Sequence, residues 1–292
     1  MGSVVYIDGE LYDVDKAKIS VFDHGFLYGD GVFEGIRIYY GGIFKLDQHL
    51  RRLYRSAKII DLKIPMEFEE LREAVIRTVK ASGLKEGYIR LVVTRGMGDM
   101  GLDPRKCKRP SIVIIVVPMP RFLGKPIKAI IASTRRLPYQ CLPPHAKTLN
   151  YLNNILAKIE AIKAGVEEAI MLSLDGYVAE GTGENIFLVR EGTLVTPPTS
   201  APILAGITRE SIFEMARELK IQVKERSVTP DELYTADEVF LCGTAAEIMP
   251  VVEIDGRIIG DGRIGPITKK LVEYFDKYVK RHLTPVCVEQ IL

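Results

Sequence analysis

Residues 118–127 read Pro-Met-Pro-Arg-Phe-Leu-Gly-Lys-Pro-Ile, a run of turn formers carrying one isolated aromatic. Proline lacks a backbone donor and fixes φ, so neither a helix interior nor a central strand runs through such a segment. It splits the 292-residue chain into two stretches, and 47% hydrophobic residues are enough to give each a core. The boundaries that follow are an N-terminal domain over 1–118, an interdomain loop over 119–127 and a C-terminal domain over 128–292.

Both stretches mix strands with helices, which predicts an α/β (α+β) class. Val4 to Ile7 reads as a strand, and Asp8-Gly9 and Gly41-Gly42 read as tight turns between segments rich in Val, Ile, Tyr and Phe. Leu46, Leu50, Leu53, Ala57 and Ile60 step by four, three, four and three, one apolar helical stripe. A second helix is expected over 67–82, ending near Gly83, then strands over 87–95 and 111–117. Beyond the linker, strands are expected over 128–134 and 168–174. Helices are expected from the Lys147 region to Ala164, over 208–219, and over 266–281 from Pro266 at a favourable first-turn position.

Composition excludes several classes. Forty basic against 38 acidic residues give a net charge of +2 with no block of either sign, so neither nucleic acid nor an anionic membrane is an expected partner. The longest apolar run, Ile112 to Val117, is too short to span a bilayer, and the opening residues lack a signal-peptide core. A cytoplasmic protein is expected. Cys107, Cys141, Cys242 and Cys287 are far apart with no histidine cluster nearby, which predicts neither a metal site nor a disulfide framework. Asparagine occurs only at 150, 153, 154 and 185 and glutamine only at 48, 140, 222 and 290, against 27% charged residues, which points to a thermophilic source.

Lys147 follows a Pro143-Pro144 break and precedes an amphipathic helix. A lysine amine can hold an aldehyde cofactor as a Schiff base, though most lysines are solvated surface charges. Companions decide. A pyridine-aldehyde needs an anion for its ring nitrogen, donors for its phosphate and a residue packed on its ring. If a helix begins at Lys147, Tyr151 lies on the same face with a phenol to offer. Glu180 stands before a glycine-spaced turn and could keep a pyridinium nitrogen protonated; a solvated acidic turn reads equally well. Gly206-Ile207-Thr208 starts a helix whose free N–H groups favour an anion, and Gly243-Thr244-Ala245-Ala246-Glu247 could form a second nest. Arg52 shares a helix face with His49, Arg55 and Ser56, a set that is usually solvated.

Taken in order, seven blocks resemble the class IV pyridoxal-phosphate aminotransferases, and most closely the branched-chain amino acid aminotransferases. They are Tyr28-Gly-Asp-Gly-Val-Phe-Glu-Gly-Ile-Arg37, His49-Leu-Arg-Arg-Leu53, Tyr88-Ile-Arg90, Lys147 to Leu152, Glu180-Gly-Thr-Gly-Glu-Asn185, Gly206-Ile-Thr208 and Gly243-Thr-Ala-Ala-Glu247. The resemblance implies a two-domain fold of type IV, with a smaller N-terminal domain and a larger C-terminal pseudo-barrel domain. It implies pyridoxal 5'-phosphate as cofactor, and ping-pong transamination of Leu, Ile and Val with 2-oxoglutarate.

The roles it implies are specific. Lys147 carries the cofactor and shuttles the proton, Glu180 pairs with the pyridine nitrogen, and Tyr151 bonds the ring hydroxyl. Arg52, Gly206, Ile207, Thr208 and Thr244 hold the phosphate, with Leu204 against the ring. Tyr88 and the backbone at Thr244 and Ala245 receive the substrate carboxylate. Tyr28, Phe33 and Phe122 supply apolar contacts, and Met100 and Leu102 come from a partner subunit, so a dimer or larger homo-oligomer is implied. Arg90 and Arg95 both stand as partners for the second carboxylate of 2-oxoglutarate. The loop Thr94 to Asp99 and the pair Thr148-Leu149 differ from better-known bacterial members. D-amino acid transaminase and aminodeoxychorismate lyase share most cofactor residues, but no Arg-x-His pair occurs in residues 86–110 to suit the first.

Overall fold

The structure, a computed structural model, describes residues 2–286, so Cys287 lies outside the described residues. The chain forms two compact units, one of residues 2–120, Ala146–Asn150 and 279–286, the other of Arg121–His145 and Tyr151–Tyr278.

The first unit contains β1 (Val4–Ile7), β2 (Glu10–Tyr12), α1 (His24–Tyr28), β3 (Gly31–Tyr39), β4 (Gly42–Phe44), α2 (Leu46–Ile59), α3 (Phe68–Ser82), β5 (Gly87–Thr94) and β6 (Ser111–Val117). The second contains β7 (Ile127–Ile131), α4 (Leu152–Lys163), β8 (Glu168–Leu172), β9 (Val178–Glu180), β10 (Asn185–Arg190), β11 (Thr193–Thr196), α5 (Ile207–Glu218), β12 (Val223–Glu225), α6 (Pro230–Tyr234), β13 (Glu238–Gly243), β14 (Glu247–Ile254) and β15 (Arg257–Ile258). α7 (Pro266–Lys280) and β16 (Leu283–Pro285) complete the chain, and β16 joins the first unit's sheet.

The first sheet has the order β16-β4-β3-β5-β6-β1-β2. The stripe on α2 does what its spacing requires: Leu46, Leu50, Leu53 and Ala57 are buried in one cluster with Ile36, Ile89, Leu91 and the α3 residues Leu71, Val75 and Val79. α3 starts with a capping box between Glu67 and Glu70 and stops at Gly83, whose φ of 65° is left-handed. The β1–β2 turn falls on Asp8-Gly9 as expected, whereas the β3–β4 turn uses Tyr40 and Gly41, with Gly42 already paired to Tyr39.

β3 is buried at every position. β5 pairs with it from Gly31 to Ile38, but β4 covers the other edge only at Ile38 and Tyr39. The open part of that edge, residues 31–33, is taken by Ala146–Asn150. Phe33 N–H donates to the Lys147 carbonyl at 2.9 Å and Leu149 N–H to the Gly31 carbonyl at 3.0 Å. Val32 and Thr148 form an antiparallel bridge. The expected helix therefore does not begin at Lys147: Tyr151 is the N-cap of α4, and the lysine lies in an extended strap.

The second sheet orders its strands β12-β11-β10-β13-β14-β7-β8-β9, with β15 beside β14. Its core joins Ile170, Val178, Ile186, Leu188, Leu241 and Val251 from several strands. Among the described residues, no helix is long and apolar enough to cross a membrane.

Candidate functional site

Within the first unit, chemistry gathers around Lys147. Ser56 Oγ accepts its backbone N–H at 3.1 Å, so both its main-chain groups are anchored. Lys147 Nζ stands 4.3 Å from the centroid of the Phe33 ring. The Arg90 guanidinium also lies over that ring at 4.3 Å, and 5.7 Å from the Tyr88 ring. Tyr88 lies so close to β3 that a Cβ on Gly35 would overlap its hydroxyl, so any larger residue at 35 would displace the Tyr88 ring.

Arg52 is not on a solvated face. It is 5% exposed, and His49 and Ser56 are buried beside it, leaving Arg55 alone of that set in water. Glu34 is the cause. Arg52 Nε and Nη2 donate to its two carboxylate oxygens at 2.7 Å each, and His49 Nδ1 lies 2.8 Å from Oε2. Burial pushes the Glu34 carboxyl upward, but Arg52 and His49 outweigh it and hold the group down at about 2. Burial also lowers His49. An ionised carboxylate only accepts, so a neutral His49 carries its proton on Nδ1.

Arg95 has different company from Arg90. Its Nε and Nη2 both reach Asp30 at 2.9 Å, while Nη1 and Nη2 also serve the carbonyls of Asp61 and Ile60. Tyr28 Oη donates to the Met100 carbonyl. Met100 and Leu102 are 69% and 79% exposed.

In the second unit Glu180 closes β9 and is buried. Arg136 Nη2 reaches its Oε1 at 3.0 Å, while Asn185 Nδ2 and Leu204 N–H donate to Oε2 at 3.2 and 3.0 Å. Three donors from three segments thus fix the carboxylate's plane. Arg136 is itself placed by the Asn154 amide oxygen at 3.2 Å. The half-buried Leu204 leads into α5, whose N-cap is Gly206 and whose first turn has no side-chain cap. A Cβ on Gly206 would run into Asn185 Oδ1. Ile207 and Thr208 are buried in that first turn. Thr244, Ala245 and Ala246 form the three-residue turn between β13 and β14, paired at Gly243 and Glu247. Phe122, half-buried, lines one cavity with Ala245 and Ala246.

Glu34, Arg136 and Asn185 were not singled out from the sequence. Glu34 had a signal, a carboxylate within a strand otherwise apolar but for Arg37, and a buried carboxylate demands a cation. Arg136 had none, because it lies in an irregular segment and its partner Glu180 is far along the chain at the end of β9.

The amino-transferase class IV family model matches residues 31–254, and the chain belongs to that family. The relatives it resembles are specific within the class. A putative branched-chain-amino-acid aminotransferase of Methanocaldococcus jannaschii is 55% identical over 93% of this chain and 94% of its own. The crystal structure of a branched-chain aminotransferase from Thermoproteus uzoniensis, solved with norvaline, superposes with a TM-score of 0.91 at 44% identity, covering 98% of this chain and 100% of that one. The branched-chain amino acid aminotransferase of Thermobaculum terrenum, solved in its PLP-form, gives a TM-score of 0.90 at 33% identity over 98% of each chain.

Proposed function

We infer that this chain transfers the amino group of branched-chain L-amino acids to 2-oxoglutarate with pyridoxal 5'-phosphate, a reading that its relatives' names support. The observation that carries the reading is the Phe33 ring, which has both the Lys147 amine and the Arg90 guanidinium 4.3 Å from its centroid. One ring and one guanidinium answer a site that must accept an aliphatic side chain in one half-reaction and a carboxylate in the other.

The residues present fit the cofactor. Lys147 offers a primary amine on a main chain held at both ends. Glu180 offers a carboxylate already locked in orientation, and the uncapped first turn of α5 offers N–H groups to a phosphate. Arg52, Thr208 and Thr244 add phosphate donors, Tyr151 a phenol for the ring hydroxyl, and Leu204 an apolar face. Bound, the group supplies an aldehyde that condenses with amines and a protonated ring that withdraws electrons.

The protein does the rest. Lys147 Nζ would take the proton from the substrate's Cα and hold it for the return transfer, acting as base and then as acid. Tyr88 and the N–H groups of the Thr244-Ala245 turn receive the α-carboxylate. Over the two half-reactions the amino acid would give up its amino group and gain a carbonyl oxygen from water, and 2-oxoglutarate would gain that group and release water to give L-glutamate. Arg90 is the partner for the second carboxylate of 2-oxoglutarate, since Arg95 already spends its donors on Asp30, Ile60 and Asp61.

Met100 and Leu102 belong to the site of a second copy, and Tyr28 goes with them because it hydrogen-bonds Met100. A homo-oligomer is further supported by Leu152, Ile155, Leu156, Ile159 and Ile162, which leave an exposed apolar stripe along α4.

A half-reaction panel tests the reading. The bound cofactor's visible absorption should be consumed rapidly by L-leucine and left intact by D-alanine. The reverse pattern would transfer the chain to the D-amino acid enzymes.

A further inference from the structure

Glu247 closes the turn whose backbone receives the substrate carboxylate, yet none of the roles above uses it. Its φ of 58° is left-handed, a backbone conformation in which glycine or asparagine is the ordinary occupant. A larger side chain there costs about 1 kcal/mol of backbone strain. The residue is nonetheless buried, at 1% exposure. The carboxylate explains its presence. Oε2 accepts the backbone N–H groups of Phe122 and Leu123, each at 2.8 Å, and Oε1 accepts Arg121 Nε at 2.8 Å. Arg121 in turn pairs with Asp276 on α7 at 2.7 Å. One side chain therefore fastens the loop that carries Phe122 to the turn that carries Thr244 and Ala245. Phe122, Ala245 and Ala246 line the same cavity of about 240 Å³.

We propose that Glu247 is a positioning residue for substrate selection: it sets where Phe122 stands relative to the carboxylate-binding turn, and so how long a side chain the site accepts. The proposal rests on the transaminase reading above. Glycine at 247 relieves the backbone and deletes the clamp. Glutamine keeps one oxygen for the two N–H groups, and gives up only the Arg121 contact.

The two variants are therefore graded. In cofactor-loaded Glu247→Gly, amide hydrogen exchange at Phe122 and Leu123 should speed up on the order of tenfold or more. The KM for L-leucine should rise about tenfold beyond any rise for L-alanine, with kcat within about threefold and the cofactor's absorption unchanged. Glu247→Gln should lie near the unaltered enzyme in exchange and in the leucine-to-alanine KM ratio. Protected amides in Glu247→Gly, equal KM changes for both substrates, or a glutamine variant as impaired as the glycine one would each overturn the proposal. The underlying reading fails separately, if the unaltered enzyme does not turn over L-leucine. The exchange data, collected without substrate, then decide the clamp alone.

Discussion

At the scale of single residues, the site is built on carboxylates placed to orient cations. Glu34 is the clearest case, because its ionised form is held by Arg52 and His49 in a place where burial alone would neutralise it. Its folded pKa of about 2 lies below the ordinary carboxylate value, so the unfolded chain binds the proton first as pH falls. The stability it contributes is complete above about pH 4.5 and disappears between there and about pH 2, a contribution of about 3 kcal/mol. His49, lowered by burial, adds in the same direction below its ordinary range. Glu34→Gln leaves Arg52 buried against a neutral amide and should cost about 3 kcal/mol in urea unfolding at neutral pH. The loss should shrink in melts near pH 3. Cofactor affinity should fall with it, as Arg52 loses the group that aims it. Lys147→Ala is the sharper test of chemistry: turnover should vanish while the fold remains, and near-normal rates would refute the assigned role.

At the scale of elements, legibility followed periodicity. α2 and α3 were readable because their apolar spacing has one consistent period and α3 carries caps at both ends, and β6 because it is a short unbroken run of β-branched residues. The start of α4 was not, since Leu149 and Leu152 continue the helical spacing of Ile155 and Ile159 backwards. Tertiary pairing wins there: the open edge of β3 captures Lys147 to Leu149 before the helix can begin. Arg52 was legible as a candidate but not as a buried residue, because its partner Glu34 comes from another element. The strap itself yields a prediction. A Cβ at Gly31 would stand 2.7 Å from the Val93 carbonyl and 2.7 Å from a Leu149 methyl. Gly31→Ala should destabilise the enzyme by roughly 1–3 kcal/mol and lower kcat by displacing Lys147's main chain. Unchanged kcat in that variant would mean that the strap does not position the amine. The glycine turn after β9 carries another. Glu184 is pushed upward by burial and by the neighbouring carboxylate of Glu168. A carboxyl whose folded pKa is raised loses stability as pH climbs past its unfolded value, because the unfolded state ionises first. Glu184→Gln should therefore raise the melting temperature by about 3 °C at pH 7 and by nothing at pH 4.

At the scale of the whole molecule, the apolar stripe of α4 and the exposed Met100 and Leu102 demand the same explanation. Five large aliphatic side chains at helical spacing, all at least 39% exposed, amount to a face that water does not favour. On the proposed reading, burial against a second copy would remove that cost and would bring Met100 and Leu102, with Tyr28, to a neighbouring site. Activity and assembly should then be lost together. Replacing Ile155 and Ile162 by glutamate places two charges on the stripe, without touching the α4 residues Asn154, Ala157 and Ala161 that pack inward. By light scattering coupled to gel filtration, the unaltered chain should elute as a dimer or larger and the double variant as a smaller species. If the stripe is that interface, leucine turnover should fall about tenfold or more in the smaller species, because a separated copy lacks its neighbour's Tyr28, Met100 and Leu102. A fully active monomer would show that each chain builds its substrate pocket alone, and would remove the partner's residues from the site.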